Sequence, residues 1–233
     1  MGASVPGQAV RGRAFEMNAI APAFTSTPTS RRPRGRPRKT LGERDEGNRR
    51  QELLKAAARL FRRKGFDATT TRDIAAAVGM HAGSPFYHFK SKGALLCAVM
   101  EEGMRAALER QAKALQPAAD PACALRSLVR SHFDTLHGPG RDFIPVMLYE
   151  WRSLNLRQRA AIAHLQREYE AAWVPVLEAL AASGHLKTDV VLARLLIFGA
   201  LNWSVQWFNP RKRASLDDIT DAAMTLFIHE ETT

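Results

Sequence analysis

Polar, aromatic and basic side chains crowd the stretch between Thr70 and Lys92. Thr70, Thr71 and Tyr87 bring hydroxyls, His88 an imidazole, Lys92 an ammonium and Arg72 a guanidinium. Hydroxyl, imidazole N–H and ammonium groups donate to phosphate oxygens, and a guanidinium can take a guanine bidentately. The local pattern indicates how these groups are presented. Thr71 can cap a helix by accepting from an orphan amide. Ile74, Ala75 and Val78 give that helix one apolar face. Gly79 ends it, because the C-terminal turn needs a positive φ. A second short helix is expected from about Ala82 to Tyr87, with Pro85 removing one backbone donor. Two short helices around a glycine turn form a helix-turn-helix, whose second helix enters the major groove.

The flanks extend the pattern. Gln51 to Lys64 read as an amphipathic helix with Leu53, Leu54, Ala57, Leu60 and Phe61 on one side, stopped by Gly65. Lys92 to Gln116 begin another helix with Leu95, Leu96, Val99 and Met100. The segments AARLFRRKGFDATTTRDIAAAVGM and GSPFYHFKSKGALL, with the long helical remainder, resemble the TetR family of bacterial transcriptional regulators over roughly residues 47 to 231. The resemblance implies an all-α fold: a three-helix helix-turn-helix DNA-binding domain (47–92), then a larger helical ligand-binding and dimerisation domain (93–233). By position in the family pattern, Arg72 contacts a base, while Ala82, Gly83, Ser84 and Pro85 face the groove floor. Thr70, Thr71, Tyr87, His88 and Lys92 fit the phosphate positions. Phe86 stands where the family usually has Tyr, so one phosphate contact is missing. His81 fits either a DNA contact or an exposed helix entry.

The chain has 233 residues, a net charge of +11 and 45% hydrophobic content, enough for a real core. The charge is uneven: residues 1–50 carry eleven Lys/Arg against four Asp/Glu. Residues 1–46 are rich in Gly, Pro, Ser, Thr and Arg and read as a disordered basic arm. Within it, Arg34-Gly35-Arg36-Pro37 resembles an AT-hook core, and Arg34, Arg36, Arg38 and Lys39 suit a narrow minor groove. A solvated tail that only adds sequence-independent attraction remains the alternative. No stretch reaches the roughly 18 uninterrupted apolar residues of a membrane helix. Val190 to Leu201 comes nearest and is interrupted by Arg194. With no signal pattern at the N-terminus, a cytoplasmic location is expected. Cys97 and Cys123 lie in predicted helices outside any metal spacing and read as small buried hydrophobes.

Beyond the head, helices are expected at Lys92–Gln116, Ala122–His137, Phe143–Ser153, Leu156–Ser183, Thr188–Phe208 and Ser215–Glu230, with Pro175 kinking the fourth. Residues 190–207 are apolar almost all round and need covering on every side. Leu195, Phe198, Leu201, Leu216, Ile219, Ala223 and Phe227 are therefore assigned to a homodimer interface, as the resemblance also implies, with intramolecular core as the alternative. Dimerisation suits a short recognition helix, since two half-sites on a palindromic operator supply the specificity one lacks.

Large side chains at helical spacing, Phe133, Phe143, Met147, Trp151, Tyr169, Trp173 and Trp203, read individually as core, while the resemblance implies a ligand cavity among them; Arg152 and Arg159 fit either its mouth or a solvated face. The closing stretch LNWSVQWFNPRKRASLDDITDAAMTLF resembles regulators that answer to acyl-CoA thioesters. The expected function is thus a repressor released by a small hydrophobic effector, with an acyl-CoA as the candidate. The alternative is an architectural DNA-binding protein without effector, held largely by its arginine-rich arm. His132, His137, His164 and His185 lack metal-ligand spacing, and no Gly-x-Ser-x-Gly or phosphate loop occurs. No catalytic residue, metal or cofactor is expected.

Overall fold

A computed structural model describes residues 41–229, except 82, 84, 116–119, 211 and 213. The arm residues Arg34, Arg36, Arg38 and Lys39 lie outside the described residues, as do Ala82 and Ser84. Ten α-helices follow one another, and no strand occurs among the described residues. They are α1 (Leu41–Lys64), α2 (Thr71–Ala77), α3 (Pro85–His88), α4 (Lys92–Ala114), α5 (Pro121–His137), α6 (Phe143–Glu150), α7 (Leu156–Ala171), α8 (Val174–Ala182), α9 (Val190–Trp207) and α10 (Leu216–Phe227). A 3₁₀ turn, Trp151–Ser153, follows α6.

Local chemistry sets most boundaries. Thr70 caps α2, not Thr71 as expected, and forms a capping box with Asp73. Asn155 with Gln158 and Ser215 with Asp218 do the same for α7 and α10. Each box satisfies amides that the first helical turn leaves orphaned. Gly65 and Gly79 take φ values of +82° and +66°, ending the helices they follow. Helix α1 starts at Leu41, earlier than the expected Gln51 and inside the arm boundary at 46. Its first turns are too polar to show an apolar period, although Leu, Glu and Arg favour helix.

The expected helix 156–183 is two helices. Pro175 lacks the amide that would bond the Ala171 carbonyl, and its ring crowds that carbonyl. Helix α7 therefore ends at Ala171, and Pro175 sits in the first turn of α8. The result is a break where a kink was expected.

Packing does not divide at residue 92. The described residues form one compact unit. One apolar cluster joins Leu53, Leu54 and Phe61 of α1 and Ile74 of α2 to Leu96 and Met100 of α4, Met147 of α6 and Ile162 of α7. A second joins Leu128 and Phe133 of α5 to Trp173, Leu177, Ile197, Leu201, Ile219 and Ala223. Helix α4, ~35 Å long at 1.5 Å per residue, runs from the head into the body and packs on α1, α5, α6 and α7. Its crossing with α6 is close: a Cβ at Gly103 would lie 2.6 Å from the Phe143 Cβ. Gly103→Ala is therefore expected to cost about 1–3 kcal/mol by overpacking, read as a lower urea midpoint.

Helix α9 extends to Trp207 and is long and apolar enough, by length and composition, to cross a membrane. That exceeds the Val190–Leu201 stretch read from sequence. Its inner face packs in the second cluster through Ala193, Ile197 and Leu201, and Arg194 pairs with Glu170. Its outer face stays uncovered in the single chain.

Candidate nucleic-acid interface and effector cavity

Helices α2 and α3 present the candidate reading surface. Arg72 is exposed on α2, Gly83 is exposed in the turn, and Tyr87 is 96% exposed on α3. An aromatic so bare of protein contacts is available to a partner. His88 is half-buried, and the half-buried Thr71 opens α2. The exposed Thr70 has its hydroxyl accepting from the Asp73 amide at 3.0 Å, which leaves its O–H free to donate. His81 is exposed beside this surface. Pro85 is buried, so it starts α3 from inside and does not face the groove.

Lys92 also departs from its expected phosphate position. Its ammonium donates to the carbonyls of Phe66 (2.8 Å), Thr69 (3.0 Å) and Asp67 (3.4 Å), and lies 4.2 Å from the Phe66 ring centroid. An ammonium has three donors, and here all three point at the α1–α2 loop. Lys92→Ala is expected to destabilise the fold by about 2 kcal/mol, since charge-assisted hydrogen bonds contribute about 1.5–3. It should leave the salt dependence of DNA binding unchanged, whereas loss of a phosphate contact lowers the log–log slope by about one. Anisotropy titrations at several salt concentrations decide between the two roles.

The same loop is held from a second side. The Glu150 carboxylate at the end of α6 accepts from the Phe66 amide at 2.9 Å and from the Ser153 hydroxyl at 3.2 Å. Arg62 of α1 pairs with Asp142 just before α6 at 2.8 Å. The latter pair is half-exposed and contributes about 0–1 kcal/mol. Thus α4 and α6 both grip the segment that leads into α2.

Helix α6 is also one wall of a cavity of about 60 Å³, lined by Met104, Ala107, Thr135, Met147, Tyr169 and Phe198, with His132 and Asn202 as its polar floor. His132 is buried, with Nδ1 3.0 Å from the Tyr169 hydroxyl and Nε2 3.2 Å from Asn202 Oδ1. The acceptor Oδ1 assigns the proton to Nε2, so Nδ1 accepts from the phenol. Burial pushes the His132 pKa down to about 4, opposed by the Asn202 hydrogen bond. Burial likewise raises the Tyr169 hydroxyl above the usual phenol range. The floor is a neutral, satisfied polar relay, with Trp173 and Phe198 set edge-on to the imidazole, and Thr135, Gln166 and Glu170 add polar groups to the lining.

Of the expected pocket residues, Met147 and Tyr169 line this cavity, and Phe143 lines an adjoining one of about 100 Å³ with Lys55 and Arg110. Phe133 and Trp173 are buried in the second cluster, and Trp151 packs on the first. Arg152 is exposed, and Arg159 donates to its carbonyl at 2.8 Å, away from the cavity. Trp203 is 64% exposed on the outer face of α9. Sequence reasoning missed His132 because it sought metal spacing. The usable signal was position: Leu125, Leu128, His132 and Leu136 share one helical face, so this histidine had to be buried.

The expected dimer set also splits. Leu195 is 57% exposed, while Phe198, Leu216 and Phe227 are half-buried. Leu201, Ile219 and Ala223 are buried within the single chain and cannot reach a second copy. The exposed apolar face consists instead of Val191, Leu192, Leu195, Leu196, Trp203 and Trp207, with Leu226 on α10. Cys97 is buried, its thiol pushed up to about 11 by burial and then by Glu101, whereas Cys123 is exposed, contrary to expectation.

Two family profiles match the chain. One, described as bacterial regulatory proteins of the tetR family, covers residues 53–99; the other, the tetracyclin repressor-like C-terminal domain, covers residues 118–230. The chain is 26% identical over 186 residues to the HTH-type transcriptional repressor KstR2 of Rhodococcus jostii (strain RHA1), covering 78% of this chain and 91% of that protein. Its structure resembles AibR in complex with isovaleryl coenzyme A and operator DNA at a TM-score of 0.71, with 25% identity over 77% of this chain and 97% of that one. It also resembles the superantigen PfiT at a TM-score of 0.67, with 35% identity over 79% and 97% of the respective chains. A shared fold alone does not carry function, but the reading head and the body match one family together. This protein therefore belongs to the TetR family of bacterial DNA-binding transcription regulators.

Proposed function

We propose that the protein is a dimeric repressor that binds a palindromic operator and is released when a small hydrophobic effector, with an acyl-CoA thioester as the candidate class, enters the His132–Tyr169 cavity. The observation that carries this reading is the double role of α6. It walls the cavity through Ile144, Met147 and Leu148, and its last residue, Glu150, holds the Phe66 amide ahead of α2. A cavity of about 60 Å³ is far below the roughly 300–1,000 Å³ of small-ligand sites. An effector must therefore favour a state in which the wall has moved, and only such differential affinity shifts the equilibrium. Moving α6 moves Glu150, and with it the reading head. The relationship to KstR2, named a repressor, and to AibR, seen with an acyl-CoA and operator DNA, supports the sign of control and the effector class.

The test is operator affinity with and without a panel of acyl-CoA thioesters, with ligand binding measured in parallel. A bound thioester should weaken operator binding by about 5- to 150-fold, the usual range of coupling. Glu150→Ala should keep thioester binding and lose most of that factor. A thioester that binds and leaves operator affinity unchanged would refute the reading.

A further inference from the structure

A second opening lies away from the cavity and shares none of its lining residues. It is a cleft of about 490 Å³ between the end of α1, the α5–α6 turn and the α9–α10 turn. Its size falls in the range of small-ligand sites, and its chemistry differs from that of the cavity. Arg62, Arg141 and Lys212 line it, each from a different element. The carboxylate beside them is Asp142, which is committed to Arg62 at 2.8 Å. Arg141 and Lys212 are exposed and make no ion pair among the described residues. Two aromatic side chains, Trp207 and Phe208, complete the rim. Phe208 packs edge-on to His137 with centroids 4.9 Å apart, while Trp207 is 58% exposed and its ring stands at 88° to Phe208.

We infer that this cleft binds a nucleoside diphosphate, with the phosphates between Arg62, Arg141 and Lys212 and the base against Trp207. Guanidinium groups match phosphate oxygens bidentately, a lysine adds a point charge, and an exposed indole offers a stacking face to any base. The field is already positive: after burial, the charges of Arg62 and Arg141 help hold His137 neutral, with a pKa of about 4. His137 Nε2 lies 2.8 Å from the Ser204 hydroxyl, so this imidazole is a fixed wall. An anion seated here competes with Asp142 for Arg62, one of the ties between α1 and the body. The site stands independently of whatever the His132 cavity binds.

The diphosphate can belong to a free nucleotide or to the nucleotide half of a larger carrier, and calorimetry with ADP, coenzyme A and inorganic pyrophosphate separates these. Binding of ADP is expected, with pyrophosphate about tenfold weaker for want of stacking. Equal affinity for ADP and coenzyme A assigns the site to the shared diphosphate, and a gain with coenzyme A assigns it to the carrier. Arg141→Glu with Lys212→Glu, both on exposed turns, should weaken ADP binding by at least about tenfold. Trp207→Ala should reduce ADP to the pyrophosphate affinity. Because Trp207 also ends the apolar face of α9, the charge reversal is the decisive variant. Unchanged ADP affinity in it, no ADP binding at millimolar concentration, or displacement of ADP by duplex DNA at one site each overturns the assignment.

Discussion

Leu192→Glu combined with Leu196→Glu is expected to leave a folded monomer whose operator affinity is lower by about two to three orders of magnitude. Leu192 is 55% and Leu196 69% exposed in the single chain, so glutamates there stay hydrated and the monomer fold tolerates them. With Val191, Leu195 and Trp203 they form one outward stripe, and exposed Gly199 and Ala200 in its middle permit close helix approach. A contiguous apolar face of this kind marks an interaction surface. Covering each leucine contributes about 1.5–3 kcal/mol, and a desolvated glutamate costs more than that. The operator effect follows from geometry, because one short reading helix contacts few base pairs and a monomer engages a single half-site. Sedimentation velocity gives the oligomeric state and fluorescence anisotropy the affinity. A double variant that remains dimeric would remove α9 from the interface and the dimer mechanism with it.

Acidification should destabilise the protein well above the range where its carboxylates protonate. His132 is buried and neutral, its pKa pushed from 6.5 down to about 4. Above pH 6.5 the imidazole is neutral in both the folded and the unfolded chain and contributes no pH dependence. As pH falls from 6.5 towards 4 the unfolded chain takes up a proton that the folded one refuses, so stability drops across that window and levels below it. Each tenfold difference in proton affinity between the two states is worth about 1.4 kcal/mol, so the loss is about 3 kcal/mol. His137 is lowered to about 4 in the same direction but is only half-buried, so solvent screening makes its part smaller. Urea midpoints at pH 7 and pH 4.5 measure the effect. His132→Gln should flatten most of the difference while keeping a polar partner for Tyr169 or Asn202. An equally steep profile in that variant would place the proton uptake elsewhere.

The helical pattern and the reading head were legible in the sequence because both rest on local chemistry. The period of Ile74, Ala75 and Val78, the turn at Gly79 and the cap beside α2 all act within a few residues. Helix positions in the body followed from the same short-range signals, but the cap at Thr70, the start of α3 at Pro85, the end of α6 at Glu150, the break at Pro175 and the start at Leu41 were misread. A proline's effect depends on whether neighbours resupply the lost bond, and polar first turns carry no apolar period.

Which face of each helix meets what was decided by tertiary packing. Leu195 and Leu201 are both apolar residues of α9, yet one faces solvent and the other lies in the core. Trp173 and Trp203 look alike in sequence, and only the first is buried. Lys92 matched a phosphate position, but the fold brings three carbonyls of a loop more than twenty residues away within reach of its ammonium. His132, Tyr169 and Asn202 come from three helices and converge only when α5, α7 and α9 pack. Sequence alone determined the fold class, the reading head and the family, through residues that act on their neighbours in the chain. Tertiary structure decided the cavity, the grip of α4 and α6 on the head and the uncovered face of α9, because each depends on groups far apart in sequence meeting at hydrogen-bond distance.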